Sequence, residues 1–486
     1  MTEGIRRRGV MDVKKVLLLN PPSPELVIRD YYCSKTTKSN YIFEPVDLLM
    51  QSGRLAERYQ VALIDAVVDR MSPDACLAAI EAYGPDAILF LSGAISWTYD
   101  FPFLSSVKAK LGPGTVLVGS GDIFQEEAVR WLEEFPFIDA VVRDFANEDV
   151  LNFLMGSEDE LENIVFRNGT AIVEIDHKRA RRAYFDIPIP RRELFSNPRY
   201  RFSFTRRKPF ATVLTDFGCP YPCSFCIMST LGSKFRSVES VMEELRMLKA
   251  QGVRDIFFID QTWGIEKKRN LELCRRMVEE KLDFGFVTYS RVDVVDEEVL
   301  AAWREAGCHT LIFGVEFASA EMLKLYKKGY KPKQIEEGLA LTRRMGIRAV
   351  GTFILGLPED TAETIETTVR LACELPLDFA SFNVAVPRHG TPLRKEAKSQ
   401  GLIGDLRVMD QAGLQVAMPT QHLSREEVMR LKQKAVFRFY LRPSYLWRRV
   451  TSVGSLDELV SQLREGAALL SRTAGFGTGR RIRNEP

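Results

Sequence analysis

The sequence predicts an α/β protein of two successive domains, a doubly wound parallel sheet followed by a barrel or partial barrel. Three observations predict it. Short apolar runs alternate with helix-length amphipathic stretches in two separate series. A proline-pinned extended segment, RARRAYFDIPIPRRELF, lies between the series. The 486 residues, 45% of them hydrophobic, are more than one core holds.

In the first series VKKVLLLN, YQVALID, PDAILFLS, GTVLVGS and IDAVVRD each read as a buried strand, and helical patterns separate them. Five such strands with crossovers make a doubly wound sheet, whose ligands lie beyond the carboxyl ends of the strands. Those ends read NPPSP, SGAIS, GSGDIF and RDFANED. A hairpin, IVFRNGTAIVEI, follows with its turn at Asn168-Gly169. The second series is ATVLTDF, RDIFFID, FGFVTYS, HTLIFGVE, IRAVGTFIL and DFASFNVAV. Six strand and helix repeats suggest a barrel with its site at the strand ends. Beyond residue 400 a capping box, Ser424 and Glu427, opens a helix expected to end near Pro443, and the tail GFGTGRRIRNEP is expected to be disordered. The expected domains are 1–155, a hairpin and linker 156–204, the barrel 205–395 and a mostly helical region 396–486.

Charge and cysteine usage narrow the function. With 67 basic and 65 acidic residues the net charge is +2, which leaves no whole-chain footprint for nucleic acid. The longest apolar run, near AILFLSGAISW, is too short to span a bilayer, so a soluble cytoplasmic protein is expected. Three of the eight cysteines, Cys219, Cys223 and Cys226, stand together as C-x-x-x-C-x-x-C directly after the first strand of the second series. Three thiolates on one loop can hold three irons of a cubic cluster and leave the fourth free to bind a substrate. Zinc fits poorly, because no histidine stands near the loop. Cys274 and Cys308 read as core, and Cys33 as part of a long loop that covers either a cofactor or nothing in particular.

With aromatic Phe225 before its last cysteine, this motif resembles the signature of radical S-adenosylmethionine (SAM) enzymes. The resemblance covers about residues 205 to 395. It implies a [4Fe-4S] cluster on Cys219, Cys223 and Cys226, whose open iron chelates SAM. One electron then cleaves SAM to a 5′-deoxyadenosyl radical that takes hydrogen from an unactivated carbon. The strand ends would cradle SAM: Asp260 and Gln261 near the amino group, Ser290 with Arg291 toward the carboxylate, and Glu316 toward ribose or amine. Ile354 and Gly356 would support adenine, though Thr352 stands where the family has glycine, and Asn383 is a further candidate. The alternative for Arg291 and Glu316 is a salt bridge lining the mouth, and for Asn383 a turn cap.

The domain in front extends the resemblance to the cobalamin-dependent radical SAM subfamily, over about residues 14 to 395. There the corrin lies on the strand ends of the first domain, which implies contacts from Asn20, Pro21, Pro22, Ser92, Gly93, Gly119, Ser120, Gly121, Asp122 and Phe145. None of the four histidines lies in the first 150 residues, so no histidine of that domain ligates cobalt. RDFANED departs from the acidic, glycine-rich run of many relatives, which leaves the contacts around Phe145 and Asn147 open. A domain that has lost its cofactor is the bland alternative.

The implied activity is methylation of an unactivated carbon with methyl from methylcobalamin, fed by an electron donor such as flavodoxin or ferredoxin. Two alternatives stay open: a non-methylating rearrangement or cyclisation, and a non-catalytic cobalamin or iron-sulfur sensor. A methylthiotransferase would need three N-terminal cysteines, and only Cys33 and Cys76 are there. The C-terminal run FRFYLRPSYLWRRV interleaves aromatics with arginines and holds no acid. It suggests a hydrophobic or lipid-like small-molecule substrate or peripheral membrane contact; the alternative is a helix packed on the barrel with its arginines in water.

Overall fold

The computed structural model of the chain describes residues 12–32, 34–37, 41–176, 184–410 and 416–452, together with positions 466 and 473. Cys33, His177 and the terminal tail lie outside the described residues. The chain divides into two compact units, one of residues 1–35, 42–200 and 232–244, the other of 36–41, 201–231 and 245–486. The division at 200/201 puts the hairpin and proline-rich connection with the first unit, and the C-terminal region groups with the second.

In the first unit five parallel strands pair in the order Gln60–Asp65, Lys15–Asn20, Ala87–Leu91, Val116–Ser120, Ala140–Val142. Numbered along the chain this order is 2-1-3-4-5, with its switch between the first and third strands. The hairpin does not stand apart as a connection. Asn163–Asn168 pairs antiparallel with Ala140–Val142, and Ala171–Asp176 closes the edge. The reason is burial: Ile164, Val165 and Phe166 are at most 1% exposed, and pairing on the sheet places them in its apolar core. Leu17, Leu19, Ile88, Phe90 and Leu117 pack one sheet face against Phe101, Leu104 and Trp131.

The second unit holds six strands, Phe210–Val213, Asp255–Phe258, Gly285–Ser290, Cys308–Glu316, Arg348–Leu355 and Phe379–Val384, all parallel and paired in chain order. Helices such as Lys267–Glu279, Glu297–Glu305, Pro332–Arg344 and Ala362–Glu374 make the crossovers. Cys274 and Cys308 are buried, as their apolar surroundings suggest. The capping box forms: Ser424 Oγ accepts from Glu427 N–H at 3.2 Å, and a Glu427 carboxylate oxygen accepts from Ser424 N–H at 2.8 Å. That helix, Arg425–Tyr440, is followed by a second, Pro443–Ser452, which starts on the proline. Among the described residues no helix is long and apolar enough to cross a membrane.

Candidate active site

Because the six strands of the second unit run the same way, their carboxyl ends gather one set of loops. The first of these carries the three cysteines, all free thiols. It is pinned at Ser224, between the second and third cysteines: Ser224 N–H donates to the Tyr326 carbonyl at 3.2 Å, and the Ser224 carbonyl accepts from Leu393 N–H at 3.0 Å. Around this anchor Cys226 N–H closes a turn onto the Cys223 carbonyl at 3.1 Å. Burial pushes the Cys226 thiol up to about 12, opposed by the Arg388 charge and reinforced by Cys223 and Cys219. Burial also raises the Cys219 thiol. Thiols held this way keep their protons until a metal displaces them. Among the described residues no three thiols, imidazoles or carboxylates converge on one point, as a single ion would need. A cubic cluster makes a different demand, a separate thiolate for each ligated iron.

Beside the loop stand two buried cations. Arg291 donates to both Asp293 oxygens at 2.9 and 2.8 Å and to the Lys328 carbonyl at 2.7 Å, and its Nη1 lies 3.9 Å from Cys223 Sγ. Its guanidinium stacks on Tyr221 at 3.6 Å. Lys328 Nζ is 2.9 Å from Glu316 Oε1 and lies 5.8 Å from the Phe225 ring centroid. Arg291 and Glu316 are therefore ion-paired at the mouth, but with Asp293 and Lys328 and not with each other. Glu316 sits in the left-handed region at φ 65°, where the pairing register slips beside it. Such an irregularity re-aims a side chain at a strand end. Gly314 makes room for the result, since a Cβ there would come within 2.4 Å of Glu316 Oε1 and 2.9 Å of Lys328 Nζ. Phe225 packs edge-on to Phe317 at 5.9 Å.

Other strand-end residues are spent on the protein itself. Both Asp260 oxygens are taken: Oδ1 by the Thr215 and Asp216 N–H groups at 2.6 and 3.0 Å, and Oδ2 by the Thr215 hydroxyl at 2.6 Å. Ser290 Oγ donates to the Trp263 carbonyl at 3.0 Å. Those two side chains brace the loops at the strand ends. Gln261 Nε2 reaches only the Ile259 carbonyl, at 3.5 Å. Ile354 is buried, and Gly356 at φ 85° gives its N–H to Asp360 at 2.8 Å, with Val428 filling the space a Cβ would need. Asn383 Nδ2 donates to the Phe353 carbonyl at 3.3 Å. Sequence reasoning missed Lys328, Tyr221 and Asp293; the one available signal was the lysine pair of YKKGY.

The first unit holds a second candidate site at its strand ends. There Arg29 is fully buried and donates to Asn20 Oδ1 at 2.7 Å, the Pro21 carbonyl at 2.9 Å, Ser96 Oγ at 2.9 Å and both Asp100 oxygens. Ser92 Oγ joins this network through Asp100 at 2.9 Å. Asp122 accepts from Ser34 N–H and Oγ at 2.8 and 2.9 Å and from Ala94 N–H at 2.9 Å. A Cβ at Gly93 would strike Ser34, one at Gly119 the Phe124 and Phe90 rings, and one at Gly121 the Ser92 carbonyl. On the side where a Cβ would stand, the chain's own atoms approach these glycines. Pro22 is buried, and Phe145 packs edge-on to Tyr31 at 4.5 Å.

Two acceptor oxygens at these ends have no donor among the described residues. Asp47 Oδ2 takes the Ser120 hydroxyl at 3.0 Å, while its buried Oδ1 has no partner among the described residues. One turn on, the Gln51 amide N–H₂ donates to the Phe145 and Asn147 carbonyls, and its Oε1 is equally buried and unpartnered. Burial, reinforced by the Asp30 charge, raises the Asp47 carboxyl well above its ordinary range, and an N–H donor supplied to Oδ1 would oppose that shift by favouring the ionised form. An unsatisfied buried acceptor costs about 1–3 kcal/mol. Two on one helix face therefore suit a ligand that brings N–H donors.

Residues 214–372 match the Radical SAM superfamily. An uncharacterized methyltransferase of Pyrococcus horikoshii is 30% identical over 448 residues, 90% of this chain and 94% of that protein. The hopanoid C-3 methylase of Methylococcus capsulatus is 29% identical over 230 residues, 46% of this chain and 44% of that one. The chain belongs to the radical SAM superfamily of enzymes. The fold of the cobalamin-dependent radical enzyme OxsB superposes with a TM-score of 0.69 at 15% identity, over 96% of this chain and 72% of that one. That of the methyltransferase TsrM from Kitasatospora setae gives 0.62 at 20% identity, over 80% and 78%.

Proposed function

We propose that this chain is a cobalamin-dependent radical SAM methyltransferase that acts on an unactivated carbon of a hydrophobic small molecule. The observation that carries the cobalamin half is the pair of buried, unpartnered acceptors on Asp47 and Gln51. They lie at the carboxyl ends of what we read as a doubly wound domain, and the corrin rim carries amide N–H donors. The likeness to methyltransferases supports the transfer half. When bound, the cluster supplies an electron to SAM and the cobalamin a methyl group.

The chain's own residues hold and orient. Cys219, Cys223 and Cys226 would bind the cluster at the mouth of a partial barrel. Lys328 still has two ammonium donors beyond the one aimed at Glu316, which suits the methionyl carboxylate. Arg291 is fixed by Asp293 and screens Cys223. Phe225 and Phe317 form an apolar wall on which a ring stacks, and the apolar enclosure excludes water from a radical. We place the protein in a reducing cytoplasm with a small flavodoxin- or ferredoxin-type donor.

The test is anaerobic reconstitution with iron, sulfide and hydroxocobalamin, then reduction with SAM and mass spectrometry of the products. Both 5′-deoxyadenosine and S-adenosylhomocysteine are expected. Deoxyadenosine alone with cobalamin retained would favour a non-methylating radical reaction, and neither product together with unchanged iron content in Cys223→Ala would overturn the assignment. Independently, Asp47→Ala/Gln51→Ala should weaken hydroxocobalamin binding, read by equilibrium titration.

A further inference from the structure

We propose that the corner between the last two described helices docks this protein onto the interfacial region of an anionic lipid bilayer. Seven large hydrophobic side chains stand exposed among the described residues, and three of them, Leu441, Leu446 and Trp447, fall within seven positions at this corner. They are 50%, 47% and 72% exposed. The other aromatics of the segment face inward. Phe439 is fully buried, Tyr445 packs on it at 5.3 Å, and Tyr440 OH donates to the Ala380 carbonyl at 2.7 Å. That anchoring fixes the corner to the strand Phe379–Val384, so its outward side chains are presented on a firm base.

Charge selects the partner. Residues 428 to 456 contain seven lysines and arginines and no acid. Lys434 and Arg438 are committed to Glu366. Arg442 is not: it stacks over Phe439 at 4.1 Å and Tyr445 at 5.7 Å, and its Nε and Nη1 are buried without an acceptor among the described residues. A cation held this way beside an exposed tryptophan and two leucines suits a surface that is anionic above and apolar below, with a lipid phosphate on Nη2, the guanidinium nitrogen left open. A second copy of the chain would set this basic segment against itself, so charge disfavours a symmetric dimer here. The corner lies at the amino end of its strand, and the cysteine loop at the carboxyl ends. It therefore anchors the enzyme at the membrane and does not open the site onto it. The inference is independent of the chemistry proposed above.

The test uses the full chain and tryptophan fluorescence. Of its five tryptophans Trp131, Trp263 and Trp303 are fully buried and Trp97 is partly buried, so Trp447, the one that stands exposed among the described residues, is the reporter. Vesicles of phosphatidylcholine with added phosphatidylglycerol should shift its emission to the blue, and brominated lipid should quench it; Trp447→Phe should remove both signals. Arg442→Gln should weaken vesicle partitioning roughly fivefold, and Leu446→Glu/Trp447→Glu should abolish it. No shift with anionic vesicles overturns the proposal. So does an equal response to pure phosphatidylcholine, and so does a shift that appears with protein concentration alone, which would mark the corner as a self-association surface.

Discussion

Replacing Lys328 by methionine separates its two possible duties, holding Glu316 and holding SAM. The side chains of the pair are 7% and 9% exposed. Removing one partner leaves the other charge buried, at a cost of about 3–5 kcal/mol. Lys328→Met should therefore unfold earlier in denaturant than the native chain. Lys328→Met/Glu316→Gln has no orphaned charge and should recover most of that loss. SAM affinity should behave differently. If Lys328 meets the methionyl carboxylate, one charge-assisted contact of about 1.5–3 kcal/mol is missing from both variants, and SAM should bind roughly tenfold to 150-fold more weakly. The assay is equilibrium SAM binding to the anaerobically reconstituted proteins, set beside denaturant titrations of the same samples. A double variant that recovers stability and also binds SAM like the native protein would refute the assignment and leave Lys328 as a strut for Glu316.

Three further outcomes follow from the packing. Burial lowers the Lys432 ammonium to about 8, against attraction from Asp410. Between about pH 8 and 10.5 the unfolded chain then binds more protons than the folded one, so this lysine makes stability rise with pH across that window, by about 3 kcal/mol in all. Lys432→Met should be the more stable protein at neutral pH and lose that advantage near pH 10.5; a stability difference that does not vary with pH would show that the ammonium is not the cause. Gly356→Ala forces a left-handed alanine and brings its Cβ within 2.7 Å of Val428 Cγ1. It should cost about 2–5 kcal/mol, backbone strain and overpacking together, and adding Val428→Ala should relieve only the overpacking, as thermal denaturation of the three proteins would show. Gly314→Ala should displace the Glu316–Lys328 pair and weaken SAM binding while leaving the iron content of the reconstituted protein unchanged; iron loss would mean that the cysteine loop depends on that pair.

What the sequence displayed and what it hid divide by distance along the chain. The cysteine spacing is local, and so are the strand runs and the Ser424–Glu427 box, and each can be read within a few residues. The Glu316–Lys328 pair joins positions twelve apart and depends on a register slip that no local pattern encodes. Asp47 meets Ser120 across 73 residues, and its significance lies in the oxygen that meets nothing. The glycines show the limit from the other side. Gly93, Gly119 and Gly121 do mark close approaches at strand ends, as their conformational freedom suggests. A missing side chain says that something comes near without saying what, and here it is Ser34, Phe124 and the Ser92 carbonyl that come near. An acceptor without a donor is the more specific sign: a buried Asp47 Oδ1 and Gln51 Oε1 with no donor from the described residues cost stability, and a bound donor returns that cost as affinity. Cobalamin should therefore stabilise the native chain against denaturant more than it stabilises Asp47→Ala/Gln51→Ala, and an equal gain in both would place the corrin elsewhere.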